Sequence, residues 1–230
     1  MLGKIYNANA NEVLPQILSE LEHPVIVTDP PFNIGYRYDV YKDNVDAEEY
    51  LNRLKSIVTE CPSVIIHYPE SLYEIAITAN LAPEKVVSWV YNSNCPRQHR
   101  DICFFGIKPI FEQVRRPYKD MKDKRNIARM ERTGGARSYD WLYCNQVKNV
   151  SKEKVAHPCQ MPLAVMEDVI KWLPRDKNIT VIDPYAGSGT TVVACEKLGI
   201  PWRAIEISQD YCDIIERRLE TLEKNQGGRL

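Results

Sequence analysis

Six short segments rich in Val and Ile, most of them separated by residues at helical spacing, constrain this chain more than any other feature. They are Val25–Thr28, Val64–His67, Val86–Val90, Ile102–Ile107, Ile179–Ile182 and Ala204–Ile207. Each is bounded by Pro, Gly, Asp or polar residues, as buried or half-buried strands are. Between them the period changes. Asp46-Ala47-Glu48-Glu49 has the form of a capping box and precedes Tyr50, Leu51, Leu54, Ile57 and Val58 at helical spacing. Ser71 with Glu74 repeats that signal. Leu163, Met166, Val169, Ile170 and Leu173 form another apolar stripe, with Pro162 where a first turn tolerates it. Ser208 is placed to cap a last helix through Tyr211, Ile214, Ile215, Leu219 and Leu222, fraying at Gly227-Gly228. Strands alternating with helices predict an α/β fold, a doubly wound and mostly parallel sheet with helices on both faces. Such a sheet binds ligands at the carboxyl ends of its strands.

The 230 residues, 44% hydrophobic, suffice for a single domain with its own core. Seven cysteines without a CxxC pair predict no disulfide framework. Cys95, His99 and Cys103 recur at four-residue spacing, but a structural zinc needs a fourth ligand, so no metal is expected. The N-terminus MLGKIYNANA has no basic flank before an apolar run, and no stretch approaches the ~20 apolar residues of a membrane span. A cytoplasmic chain with no membrane partner is expected. Charge is unevenly placed. Nine basic residues (Arg115, Arg116, Lys119, Lys122, Lys124, Arg125, Arg129, Arg132 and Arg137) face three acids over residues 115–137, a local +6. With the whole chain at −1, the rest carries −7. A positive segment on an acidic body suits phosphate contact, and equally a solvated loop. Residues 115–156 show no clear period and contain Gly134-Gly135, which predicts an inserted loop region or small lobe within a 1–230 domain.

Three motifs carry chemistry. In the first, strand Val25–Thr28 runs into Asp29-Pro30-Pro31-Phe32. The prolines fix φ and lack N–H donors, leaving their carbonyls as acceptors. A rigid turn thus offers a carboxylate, carbonyls and an aromatic face, a set that suits an amino group on a flat ring. In the second, strand Ile179–Ile182 leads through Asp183-Pro184-Tyr185-Ala186-Gly187-Ser188-Gly189-Thr190-Thr191 into a helix Thr190–Leu198. Glu206 follows at the end of the next strand, where an acid can accept both ribose hydroxyls of a nucleoside. The order fits a nucleoside cofactor without separating NAD from S-adenosylmethionine. Val192 stands where a dinucleotide fingerprint has its third glycine, which argues against a pyrophosphate. The third motif is His157-Pro158-Cys159-Gln160-Met161-Pro162 before the helix Leu163–Leu173.

Taken together, DPPF, HPxQxP and DPxxGSGTT in this order resemble the DNA amino-methyltransferases that make N6-methyladenine or N4-methylcytosine. The order, with the glycine loop last, resembles their circularly permuted β group. Ile5-Tyr6-Asn7-Ala8-Asn9-Ala10-Asn11-Glu12-Val13-Leu14 is similar to that group's opening strand and cofactor-contacting turn. Trp89–Asn92 and Phe104–Lys108 resemble later core strands. Two positions depart: Asn9 stands where Asp is common, and Met161 where HPxQKP has Lys.

The resemblance implies S-adenosyl-L-methionine as cofactor and S-adenosyl-L-homocysteine as product. It assigns Asp29, Pro30, Pro31 and Phe32 to catalysis on an extruded base, with Phe32 stacking on the ring. Cofactor contacts are implied for Asn9, Ala10, Asp29, His157, Gln160, Asp183, Tyr185, Ala186, Gly187, Ser188, Gly189, Thr190, Thr191 and Glu206. It places target recognition in 115–156, with DNA as partner to the nine basic residues. A homodimer and a companion restriction endonuclease are further partners the group suggests. Asp before Pro-Pro-Phe favours adenine N6 over cytosine N4. An RNA amino-methyltransferase, a silent nucleic-acid-binding subunit and a nicotinamide oxidoreductase are the remaining alternatives.

Overall fold

The computed structural model describes the backbone of residues 1–227 and the side chains of residues 1–225. In chain order its elements are β1 (Gly3–Asn7), α1 (Ala10–Ser19), β2 (Pro24–Thr28), α2 (Ala47–Glu60), β3 (Ser63–His67), α3 (Pro69–Ala79), β4 (Lys85–Val90) and β5 (His99–Phe105). There follow β6 (Arg115–Arg116), α4 (Lys124–Thr133), β7 (Ala136–Arg137), β8 (Trp141–Tyr143), α5 (Leu163–Trp172), β9 (Thr180–Asp183), α6 (Thr190–Leu198), β10 (Trp202–Glu206) and α7 (Gln209–Gly227).

One eight-stranded sheet runs β1-β10-β9-β2-β3-β5-β4-β8, parallel except where β5 lies antiparallel between β3 and β4. Side chains alternate across it as the strand period demands. Val25 and Val27 of β2 face one core with Met166, Val169, Ile170, Ala194, Ile215 and Leu219 of α5, α6 and α7. Ile26 between them faces the other, with Leu14, Ile17, Leu54, Ile57, Leu72 and Ile75 of α1, α2 and α3. The expected doubly wound, mostly parallel α/β sheet is thus present. All five residues of β3 are buried, as in a strand covered on both faces.

Local corrections have local causes. Asp46 caps α2, accepting from the N–H groups of Glu48 and Glu49. Ser71 caps nothing. Pro69 starts α3 at its first turn with Tyr68 as the cap residue, because proline is already set at helical φ. Pro162 lies just outside α5 as its cap residue. The strand expected at Ile102–Ile107 is shifted: it begins at His99, and Gly106 at φ +63° ends it. The expected fraying at Gly227-Gly228 falls at and beyond the last described residue.

Residues 115–156 are more ordered than their sequence suggests. Arg115 and Arg116 pair antiparallel with Ala136 and Arg137, forming a short ribbon around α4. Asp123 caps α4 and Gly134, at φ +71°, ends it. β8 then rejoins the main sheet as an edge strand beside β4. No period is visible in the sequence because α4 has no buried residue.

Candidate active site

Winding goes one way from β9 through α6 to β10, and the other way from β2 through α2 to β3. The switch point is therefore between β2 and β9, which pair Ile26 to Ile182, and ligands enter such sheets there, at the carboxyl ends. Both acid-proline turns, Asp29-Pro30 and Asp183-Pro184, leave the sheet at this crevice. Thr28 Oγ1 donates to Asp183 at 2.8 Å, and Thr191 Oγ1 donates to its other oxygen at 2.6 Å. The Tyr185 N–H adds a third bond at 3.1 Å. Asp183 thus pins the two turns together instead of facing open space.

Asp29 has an 11% exposed side chain and accepts from Arg100 Nη1 at 3.1 and 3.4 Å. Burial pushes its carboxyl up to about 6, against the downward pull of Arg100 and with a further push from Asp183. The Arg100 guanidinium also lies 4.4 Å over the Phe32 ring. Phe32 is buried, with its ring edge-on to His67 at 4.6 Å. The stacking face expected of Phe32 is thus covered by Arg100.

Beneath the turn runs a hydrogen-bonded line. The Tyr68 N–H donates to His67 Nδ1 at 2.8 Å, so the ring proton sits on Nε2. Nε2 is 2.7 Å from the Tyr50 hydroxyl, which donates to the Pro31 carbonyl at 2.8 Å. Burial lowers His67 to about 3, keeping it neutral. Of the two proline carbonyls expected to be free, Pro31's is committed to Tyr50, and Pro30's accepts none of the described hydrogen bonds. Past Phe32 the chain turns through Asn33 at φ +55°. Buried Asp43 fixes this turn by accepting from the N–H groups of Asn33, Ile34 and Tyr36.

On the other wall, Glu206 accepts from Gly187 N at 2.7 Å and Ser208 N at 2.9 Å. Burial pushes its carboxyl up while these N–H groups pull it down. A carboxylate has about four lone-pair sites, so two stay available. Gly187 sits at φ +50°, and a Cβ there would lie 2.9 Å from His157 Nε2. The close approach that demands glycine is therefore to His157. At Gly189 it is to Ile215. His157 Nδ1 is buried without a partner. Burial lowers this histidine to about 4, aided by Lys154 and Arg218.

These walls enclose a cavity of about 290 Å³. Of the expected cofactor residues, Asn9, Ala10, Asp29, His157, Tyr185, Gly187 and Glu206 line it. Ala186, Ser188, Gly189, Thr190 and Thr191 stand behind them, with Arg218 of α7 donating to the Ser188 carbonyl and Thr190. Gln160 holds the backbone of Glu153 and Val155, away from the cavity. Tyr38, Tyr41, Ser208 and Tyr211 are among the other lining residues, and no motif announced them as such. An unfilled histidine nitrogen, spare carboxylate lone pairs and aromatic walls fit a nucleoside bearing a charged amino-acid arm. A larger groove of about 680 Å³ between α1 and α2 is lined by Asp46, Glu48 and Glu49, and lacks both acid-proline carboxylates.

None of the nine basic residues lines the cavity. All are exposed, and three are ion-paired: Arg116 with Asp168, Arg125 with Asp123 and Arg137 with Glu112. Among the described residues no group of three His, Cys, Asp or Glu side chains could hold a metal, and no helix is long and apolar enough to cross a membrane.

A family model described as DNA methylase (N6/N4) matches residues 67–217, beginning at the end of β3 and so not including the DPPF turn. Across 228 residues the chain is 26% identical to the type II methyltransferase M.HpaI of Haemophilus parainfluenzae, covering 89% of this chain and 70% of that one. It is 25% identical to type II methyltransferase M.BglII of Bacillus subtilis, covering 93% and 68%. Among solved structures, the PvuII DNA methyltransferase, described as cytosine-N4-specific, superposes with a TM-score of 0.67 at 15% identity, over 95% of this chain and 86% of that one. The complex of M1.HpyAVI with SAM superposes with a TM-score of 0.62 at 20% identity, over 94% and 99%. At these identities the two structures speak for the fold.

Proposed function

Because this chain belongs to the N6/N4 DNA methylase family, we propose that it methylates adenine N6 in DNA after turning the base out of the helix. The observation that carries this is the crevice itself. Asp29 lines the same 290 Å³ cavity as Glu206, Gly187 and His157. The acceptor for an amino group and the wall for a nucleoside cofactor therefore share one space.

S-adenosylmethionine, the family's cofactor, supplies a methyl group activated by a sulfonium charge. Glu206 would accept from the ribose hydroxyls, Asn9 would meet the adenine edge, and His157 would offer its unused Nδ1 toward the methionine arm. The target nitrogen is a weak nucleophile, since its lone pair is delocalised into the ring. Asp29 and the Pro30 carbonyl would accept its two hydrogens, drawing the nitrogen toward tetrahedral geometry and exposing the lone pair. The carboxylate then stabilises the positive charge that develops on nitrogen. Tyr50 and His67 hold Pro31, and through it the turn, in the geometry this requires. The exposed cations on α4 and the β6–β7 ribbon would contact phosphates.

Adenine is favoured because Asp rather than Ser begins the motif. The second reading is N4-methylcytosine, which the N6/N4 family includes. Digesting DNA methylated by this protein and identifying the nucleoside by mass spectrometry should yield N6-methyladenine. N4-methylcytosine would overturn the base assignment, and modification of RNA with DNA untouched would overturn the polymer. Asp29→Ala should lower methyl transfer by roughly 10²–10³-fold, the usual scale for losing one charge-stabilising group. Near-wild-type transfer would sink the role given to Asp29.

A further inference from the structure

We propose that Arg100 occupies the seat of the target base while the protein is free of nucleic acid, and must leave before a base can enter. This rests on the reading of Asp29 and Phe32 as the base-binding pair. The guanidinium makes two of the three contacts which that reading gives to the base, leaving the Pro30 carbonyl free. Its central carbon lies over the Phe32 ring, 4.4 Å from the centroid. Its Nη1 donates to both Asp29 oxygens, at 3.1 and 3.4 Å. A guanidinium and the amidine edge of adenine or cytosine present the same flat N–C–N unit with an outward amino group. The side chain therefore imitates the part of the base that the site must grip.

The rest of the cage fits a flat cation or a flat ring equally. Trp89 and Tyr68 rings stand 5.4 and 5.6 Å from the guanidinium, and Met161 Sδ lies 3.7 Å from Nη1. A permanent internal guanidinium satisfies its donors as a rule. Here the Nε–H is buried with no partner, in a residue only 7% exposed. The backbone of Arg100 is fixed by pairing with Trp89 across the sheet. Its long side chain alone has to move. As long as it stays, the face of Phe32 and one edge of the Asp29 carboxylate are taken, and a wrong base must compete with a bound cation to enter.

The rival is a fixed counter-ion that merely holds Asp29 in place. Methylguanidine separates the two by the sign of its effect. Arg100→Ala opens a slot of guanidinium shape. Cofactor titration first shows that the variant is folded, and unmethylated plasmid DNA with labelled S-adenosylmethionine gives the rates. If Arg100 is a placeholder, millimolar methylguanidine refills the seat and competes with DNA. The apparent KM for DNA then rises several-fold in Arg100→Ala with kcat unchanged, and the wild-type enzyme does not respond. Restoration of a lost kcat by methylguanidine overturns the proposal, and so does the absence of any effect on the variant. Should Arg100→Ala fail to bind cofactor, Arg100→Lys keeps the charge and loses the flat face. A several-fold lower KM for DNA is then expected, and a wild-type KM overturns the idea. Absence of DNA methylation by the wild-type enzyme would instead count against the proposed function.

Discussion

At Asp29, burial favours the neutral acid and the guanidinium of Arg100 favours the carboxylate, and burial wins far enough to set the group at about 6. That value sits within a working range of pH, which makes the residue testable by titration. A carboxylate accepts the amino hydrogens, whereas a carboxylic acid offers a donor in their place. The rate should therefore be full above pH 7 and fall as pH drops through about 6, approaching tenfold per unit below it. His67 at about 3 and His157 at about 4 stay neutral over that span, so neither competes for the limb. A profile of kcat/KM between pH 5 and 8 checks this, and a flat profile would remove Asp29 from the chemistry. Met161 adds a detail at the same scale. It stands where HPxQKP has a lysine, and its sulfur touches Arg100. A lysine there would crowd the guanidinium with a second positive charge. In this chain the cation next to Asp29 comes from a strand, through Arg100 of β5.

Between elements, the link that matters most joins α2 to the turn after β2. Tyr50 reaches from α2 to the Pro31 carbonyl and to His67 at the end of β3. Tyr50→Phe keeps the ring and removes the hydroxyl. The Pro31 carbonyl and the buried His67 Nε2–H would then lack a partner, a loss of about 1–3 kcal/mol. In a domain of this size that lowers Tm by roughly 2–10 °C, and thermal unfolding of the variant measures it. Methyl transfer should fall with it, because the turn loses its brace; an unchanged Tm and rate would mean the line braces nothing. This line was invisible in the sequence for a physical reason. Apolar runs announce strands, and the Val and Ile segments did locate β2, β3, β4, β9 and β10. Polar residues inside a strand hide it. β5 begins with His99, Arg100 and Asp101, and Arg100 and Asp101 are buried because each has a polar partner off its own strand, the Asp29 carboxylate for Arg100 and the Ser88 hydroxyl of neighbouring β4 for Asp101. Partners that far apart in sequence leave no periodic trace. The glycine turn was legible because φ and close packing restrict it to glycine. Tyr38, Tyr41 and Tyr211 were not, since any tyrosine can face a cavity.

Over the whole molecule, charge separates along the chain, with +6 over residues 115–137 and −7 elsewhere. An acidic body repels a polyanion, so the nucleic acid should be drawn to that segment. Arg115 and Arg116, first in that segment, could be removed to test this. The fold makes that pair a poor choice, because Arg116 is ion-paired to Asp168 on α5 and Arg115 donates to the Gly135 carbonyl. Charge removal there would disturb the ribbon as well as the field. Lys122, Arg129 and Arg132 are better placed. All three are exposed, and among the described residues none has an acidic partner within ion-pair distance. Each phosphate contact contributes about 0.9 to the slope of log K against log salt on duplex DNA. Replacing all three with glutamine should therefore flatten the slope by roughly two to three, weakening binding most at low salt. The cofactor site lies apart from them, so S-adenosylmethionine affinity should not change. Fluorescence anisotropy with labelled duplex between 50 and 300 mM salt reads the slope directly. If it does not flatten while cofactor binding holds, the duplex runs over another face, and the charge on α4 belongs to solvent.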